Sequence, residues 1–194
     1  MRTVLQIPYL GKDMPSPKEA RLMHETWLYA ISRGWQYVEI GCKQYHLCST
    51  FMSYRRYMAH HPELAAFIRE CKFAKGHRAQ LISDLIRLHY ASDNRDVIYV
   101  DRDASPVLLP VFEEGTVWFA RYSEHTIDHF MFYADDPAFF AELLQTVMRR
   151  LPRQNGKVIV EWASIHGIVV EECLGKTNVI EPPCFIHLNR SKAA

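Results

Sequence analysis

Apolar residues in this chain follow two rhythms. Short runs of β-branched and aromatic residues alternate with longer stretches where apolar positions recur every three or four residues. "TVLQI" at Thr3–Ile7 is the first short run, and Pro8 and Gly11 end it. Ser16 and Pro17 then open a helical pattern to about Ser32, with Leu22, Trp27, Leu28 and Ile31 as its apolar positions and Gly34 closing it. Trp35–Ile40 reads as a second strand. Helical segments are predicted at 49–59, 62–71 and 77–91. In the last, Leu81, Leu85 and Leu88 fall at i, i+4 and i+7, and Ile82 and Ile86 widen the face. "DVIYV" at 96–100 is a third strand and "GTVWFARY" at 115–122 a fourth. A helix from Pro137 to about Met148 follows, then a strand at 157–162, a short helix, and a final strand near "CFIHL" at 184–188.

Strands interleaved with helices predict an α/β sheet with helices on its faces. The length of 194 residues suits one domain, spanning 1–194, and 48% hydrophobic residues suffice for its core. No repeat or linker interrupts it, and Pro152–Gly156 reads as a loop. Twenty-three Lys and Arg against 22 Asp and Glu leave a formal charge of +1, which gives no strong field for nucleic acid or an anionic membrane. The five cysteines, at 42, 48, 71, 173 and 184, form no CxxC pair. Reduced thiols in a cytoplasmic protein are the expectation. The N-terminal apolar run is too short and interrupted for a signal peptide, and no run approaches a membrane span.

Candidate chemistry gathers at one strand end. Val97–Val100 reads as a buried strand, and Asp101-Arg102-Asp103 follows directly. Ligands in open α/β sheets bind beyond the carboxyl ends of the strands. If the chain stays extended, side chains at i and i+2 point the same way, and two carboxylates make a hard-oxygen site for manganese or magnesium. The same pair also suits a solvated turn. On the helix before the strand, Asp84 and Arg87 share a face, with Gln80 and Ala91 on the same stripe. They fit either an exposed ion pair or a donor-binding face, with Arg87 forking onto a carboxylate or phosphate.

Ser83-Asp84-x-x-Arg87, an apolar strand ending Tyr99-x-Asp101-x-Asp103, and a proline soon after resemble the sugar-binding region of DXD glycosyltransferases. That group includes bacterial capsular-polysaccharide transferases, fungal mannosyltransferases and the catalytic domains of large clostridial glucosylating toxins. Leu5-Gln6-Ile7 with Gly11 resembles the family's opening strand, and "ISRGWQYVEI" its following segment, so the likeness covers about residues 3–112. The resemblance implies a GT-A-like fold, with 1–112 binding the nucleotide sugar and 113–194 on the acceptor side. It implies a metal-dependent hexosyltransferase, with retention, that moves sugar from a nucleotide-diphosphate donor to an acceptor hydroxyl. Asp101 and Asp103 would meet metal and donor, Asp103 as the direct ligand of Mn²⁺ or Mg²⁺. Asp84 and Arg87 would contact the donor's sugar or ribose, and Gln6, Ile7 and Tyr99 would lie at the nucleotide pocket. His187 is the late-chain candidate for the metal shell. Asp128, with His129, stands near the acceptor position.

The chain departs from the family at Arg95-Asp96, where Gly-Gly is usual, and its second half is short. These departures motivate an alternative, a nucleotide-sugar-binding module without turnover. A metal-dependent phosphoesterase using the same aspartates is a further one. Elsewhere, His60-His61-Pro62 reads as a turn and cap, Glu171-Glu172 as a solvated helix end, and Trp118, Tyr122, Phe130 and Phe132 as core.

Overall fold

A computed structural model describes residues 1–10, 15–123, 126–182 and 184–188. Gly11 lies outside the described residues. In chain order the strands are β1 (Thr3–Tyr9), β2 (Gln36–Gly41), β3 (Thr50–Ser53), β4 (Cys71–Phe73), β5 (Val97–Val100), β6 (Ala104–Pro106), β7 (Val117–Ser123), β8 (Thr126–Ala134), β9 (Arg153–Gln154), β10 (Lys157–Val160), β11 (Asn178–Ile180) and β12 (Phe185–His187). The helices are α1 (Pro17–Ile31), α2 (Tyr54–His60), α3 (Pro62–Glu70), α4 (Arg78–Asp93), α5 (Pro137–Arg150) and α6 (Trp162–Cys173).

Local chemistry sets several boundaries. Ser16 caps α1 with a capping box: its Oγ accepts from the Glu19 N–H at 3.3 Å, and the Glu19 carboxylate accepts from the Ser16 N–H at 2.7 Å. Past the end of α1, Gly34 takes φ +67° and donates to the Ile31 carbonyl. Asp136 caps α5 by accepting from the Phe139 N–H at 3.1 Å.

Seven strands form one mixed sheet in the order β11-β7-β8-β5-β1-β2-β3. The neighbours β3, β2, β1 and β5 run parallel, and β8 is antiparallel to both β5 and β7. Strand order reverses at β1, because the chain steps to β2 on one side and later to β5 on the other. The carboxyl ends of β1 and β5 therefore flank the crevice where such sheets bind ligands.

Alternation along the strands divides the core in two. Leu5, Val97, Tyr99, Phe119 and Phe132 face one side, where they pack with α4, α5 and α6. Val4, Ile98, Val100, Phe130 and Tyr133 face the other, against α1. Phe130 and Phe132 are thus core residues, as their sequence suggested. Cys71 and Cys173 are buried thiols, pushed up to about 11 and about 12 by burial. No described helix is long and apolar enough to cross a membrane.

The structure corrects several boundaries. The helix expected at 49–59 begins only at Tyr54, because Thr50–Ser53 pairs with β2 as β3 and the Ser53 Oγ caps α2. Cys71, expected to end a helix, instead opens β4 beside β10. Trp162, expected in a strand, opens α6. Strand β8 sits between β5 and β7 with both faces covered, and eight of its nine residues are buried, so its sequence carries no inside–outside alternation.

Candidate active site

Every residue of α4 from Leu81 to Leu88 is buried, Asp84 and Arg87 included. Buried charges must be paired or bind a ligand. Arg87 pairs through Nη2 with Asp84 Oδ1, and through Nη1 with Asp101 Oδ2 at 3.2 Å and the His129 carbonyl at 2.8 Å. Its guanidinium lies 4.7 Å from the Tyr99 ring centre. Arg87 is therefore a buried charge anchor at the cavity wall. Burial works against its proton, but the Asp101, Tyr99 and Asp128 charges raise its pKa above the ordinary value.

Asp101 to Ala104 form a tight turn, in which the Ala104 N–H donates to the Asp101 carbonyl at 3.1 Å. The chain does not stay extended here, yet both aspartates line one cavity. Turn and site are one structure. The Asp101 carboxylate accepts from the Tyr99 hydroxyl as well as from Arg87. Gln6, fully buried, donates to the Asp101 carbonyl at 3.4 Å and accepts from the Tyr37 hydroxyl. Gln6 and Tyr99 stand behind the wall and fix Asp101, whereas Ile7 lines the cavity itself.

Beyond this turn, β6 pairs antiparallel with β12, with His187 opposite Ala104. The pairing puts His187 Nε2 3.6 Å from Asp103 Oδ1. Burial first, and the neighbouring Asp101 charge second, push the Asp103 carboxyl above the usual carboxylate range.

These groups surround a cavity of about 700 Å³. Asp84, Arg87, Asp101, Asp103, Asp128, His129 and His187 all line it, so residues 103 positions apart in sequence meet at one place. Five carboxylates face the cavity, from Glu19, Asp84, Asp101, Asp103 and Asp128, against the guanidiniums of Arg87 and Arg102. Arg102 is itself held by Glu19 at 2.9 Å, and Arg87 by Asp84 and Asp101. The carboxylate excess suits a divalent cation, and Asp103 with His187 offers an oxygen and a nitrogen at a spacing close to the ~3–3.5 Å between adjacent ligands of one ion. Asp101, already engaged, does not join them in a three-ligand group within 4.8 Å.

On the opposite wall, Asp128 Oδ1 accepts from the His129 backbone N–H at 2.6 Å and lies 2.8 Å from His129 Nδ1. Burial and the Arg87 charge lower the His129 pKa, so the ring is neutral and donates its Nδ1–H to Asp128. Burial works to raise Asp128, but this hydrogen bond, the neighbouring imidazoles of His129 and His166 and the Arg87 charge overcome it and hold it at about 2. His129 Nε2 is then an acceptor, 3.8 Å from Asp84 Oδ1. His129 Nε2, Asp84 Oδ2 and Arg87 Nε are buried without hydrogen-bond partners. Such atoms beside a cavity call for a partner, whether water, an ion or a ligand group.

His166 Nδ1 lies 3.7 Å from Asp128 Oδ1, and Asp128, His129 and His166 bring three ligand atoms within 4.8 Å. Trp162 lines the cavity half-exposed and stacks on His166, rings 4.5 Å apart at 11°. The sequence reading missed both residues. Their one local signal is an i, i+4 spacing on α6, common on any helix.

No protein-family model matches the chain, and no curated protein matches it in sequence. Solved structures do. The chain is similar to the PaToxG glycosyltransferase at a TM-score of 0.61 and 12% identity, covering 89% of this chain and 67% of that one. It is also similar to a glycosyltransferase involved in glycosylation of the major capsid of PBCV-1, at a TM-score of 0.52 and 12% identity, covering 98% and 95%. The chain has the mixed α/β fold of these glycosyltransferases.

Proposed function

We propose that the protein is a metal-dependent glycosyltransferase that uses a nucleotide-diphosphate sugar. One observation carries the reading: a carboxylate-rich cavity at the switch point of this fold, where Asp103 and His187 stand 3.6 Å apart. Asp103 and His187 would hold manganese or magnesium. When bound, the ion supplies Lewis-acid stabilisation of the leaving diphosphate. Asp101, fixed by Tyr99, Arg87 and Gln6, orients the donor through hydrogen bonds. Asp84 Oδ2 and His129 Nε2 accept from sugar hydroxyls, and Asp128 keeps His129 in the tautomer that can do so. The half-exposed ring of Trp162 offers a platform for the acceptor saccharide. The acceptor attacks from the face the diphosphate leaves, a diphosphate oxygen takes its proton, and the anomeric configuration is retained.

A thermal-shift screen of nucleoside diphosphates and nucleotide sugars, with and without manganese, tests this reading. Stabilisation should need nucleotide and metal together, reaching about 2.7 kcal/mol at 100 times Kd. Donor hydrolysis and transfer should vanish in chelator and return with manganese better than with calcium, whose larger shell holds a diphosphate less tightly. Full activity in chelator removes the metal from the reading. Binding without any donor turnover turns the protein into a nucleotide-sugar-binding module.

The ligand group Asp128, His129 and His166 favours a second reading. With Asp103 and His187 it would give two cation positions in one cavity, as a phosphoesterase uses. Cleavage of phosphodiesters with no sugar transfer is its signature.

A further inference from the structure

At its N-terminal half α4 carries Asp84, and about 13 Å further along the same helix it carries Asp93. There, away from the cavity, His61, His89 and Asp93 bring three ligand atoms within 4.8 Å of one another. We propose that these three side chains form a separate transition-metal site of zinc type, pinning the α2–α3 corner to the end of α4.

The geometry has the right shape. Asp93 Oδ2 lies 3.6 Å from His61 Nδ1 and 3.5 Å from His89 Nδ1. Tetrahedral ligands about 2.0–2.1 Å from zinc are themselves separated by roughly 3.3–3.5 Å. His89 and Asp93 are one helical turn apart, so α4 presents both on one face. His61 arrives from another element. It occupies the N-cap position of α3 but makes no side-chain capping bond. A capping side chain ordinarily accepts from the first turn. This one turns away, and its ring packs edge-on to His89 with centroids 4.4 Å apart.

The surroundings hold the rings in place. Tyr57 is buried, its ring centroid 4.4 Å from that of His61, and its hydroxyl sits 3.0 Å from His89 Nδ1. An incoming ion takes the Nδ1 lone pair that this hydroxyl now contacts. Two imidazoles and one carboxylate suit zinc, cobalt or nickel, whereas magnesium and calcium prefer all-oxygen shells. Asp93 is half-exposed, which gives an entry path and leaves a fourth position for water.

Cobalt(II) titration of the full chain, stripped of metal by a chelator, tests the site through the visible d–d bands of tetrahedral cobalt. The wild type should bind cobalt and release it to zinc. Asp93→Asn and His61→Gln should each weaken binding at least about tenfold, since even outer-shell changes cost 10–100-fold. Melting temperatures in chelator check that both variants fold, and Asp93 is exposed enough for its variant to do so. Asp103→Asn and His166→Gln should leave the bands intact. Absence of tetrahedral bands in the wild type overturns the proposal. So does binding indifferent to Asp93→Asn and His61→Gln, or binding lost in His166→Gln, which would assign the ion to the cavity.

Discussion

Strand β5 has an aspartate at each end, and the two ends serve different purposes. Asp96 precedes it with a left-handed backbone, φ 55°. Its N–H donates to Asp135 Oδ1 at 3.0 Å, and its carboxylate accepts from Arg2 Nε at 2.6 Å. Asp135 also accepts from the Gly115 N–H, so it ties two turns together. Arg2 in turn lies 5.0–5.4 Å from the rings of Trp35, Phe112 and Tyr133. This end is closed, and its groups answer one another. At the other end Asp103 is buried beside a second carboxylate and holds its proton more tightly than usual. That aspartate lines the cavity with His187 Nε2 3.6 Å away, and the proposed cation would answer the charge that burial and Asp101 oppose.

Breaking the charge anchor at the cavity end should have the largest effect. Arg87→Leu leaves Asp84 and Asp101 without their buried cation, which should cost about 3–5 kcal/mol of stability. Urea unfolding measures it. A loss under about 1 kcal/mol would mean that the network is solvated rather than buried. Asp103→Asn comes next. Turnover with manganese should fall about a hundredfold or more, since losing a metal carboxylate removes several kcal/mol of charge stabilisation. The metal-free melting temperature at pH 7 should rise. A carboxyl whose pKa is raised on folding opposes the fold once it ionises, so removing its charge relieves that cost. Asp101→Asn should instead lower stability, because Asp101 is paired with Arg87.

The His129–Asp128 wall gives a third handle, through acid. Asp128 drops from an ordinary 3.8 to about 2 on folding, so its contribution of roughly 2 kcal/mol is present above about pH 4 and lost as pH falls through 2. The lowered His129 pKa acts in the same direction, favouring the fold above its ordinary 6.5 and weakening it below. Melting temperatures from pH 7 to 2 should therefore decline more steeply in the wild type than in Asp128→Asn. Parallel curves would show that Asp128 is not held ionised by its neighbours.

Local chemistry made part of the cavity end readable and hid the rest. Val97–Val100 followed by Asp101-Arg102-Asp103 is visible as a strand running into a polar turn, and Asp84 with Arg87 as a stripe on a helix. Their burial was not visible, because α4 is covered by α5 and by strands more than 40 residues away. The role of Gln6 as a brace behind Asp101 also depends on a pairing between β1 and β5 that spans over 90 residues. His187 was reachable only through a family resemblance, since its place beside Asp103 comes from the register of β12 on β6. His166 offered only its i, i+4 spacing from Trp162, which is common on any helix. Long-range pairing, rather than propensity, assembles the site, and propensity is what one sequence reveals.

The smallest expected effect belongs to the closed end, and it tests whether that end is purely structural. At Asp96 a left-handed L-residue costs roughly 1–2 kcal/mol relative to one without a Cβ. Asp96→Gly removes that strain. It also removes the Arg2 ion pair, partly exposed and worth about 0–1 kcal/mol. The backbone N–H still reaches Asp135. The terms oppose each other, so net stability should change by less than about 1 kcal/mol. Asp96→Ala keeps the strain and loses the ion pair, so it should melt below both the wild type and Asp96→Gly. Neither variant should change donor binding. If Asp96→Gly weakens donor binding while its melting temperature holds, the two ends of β5 are coupled, and the division drawn between them fails.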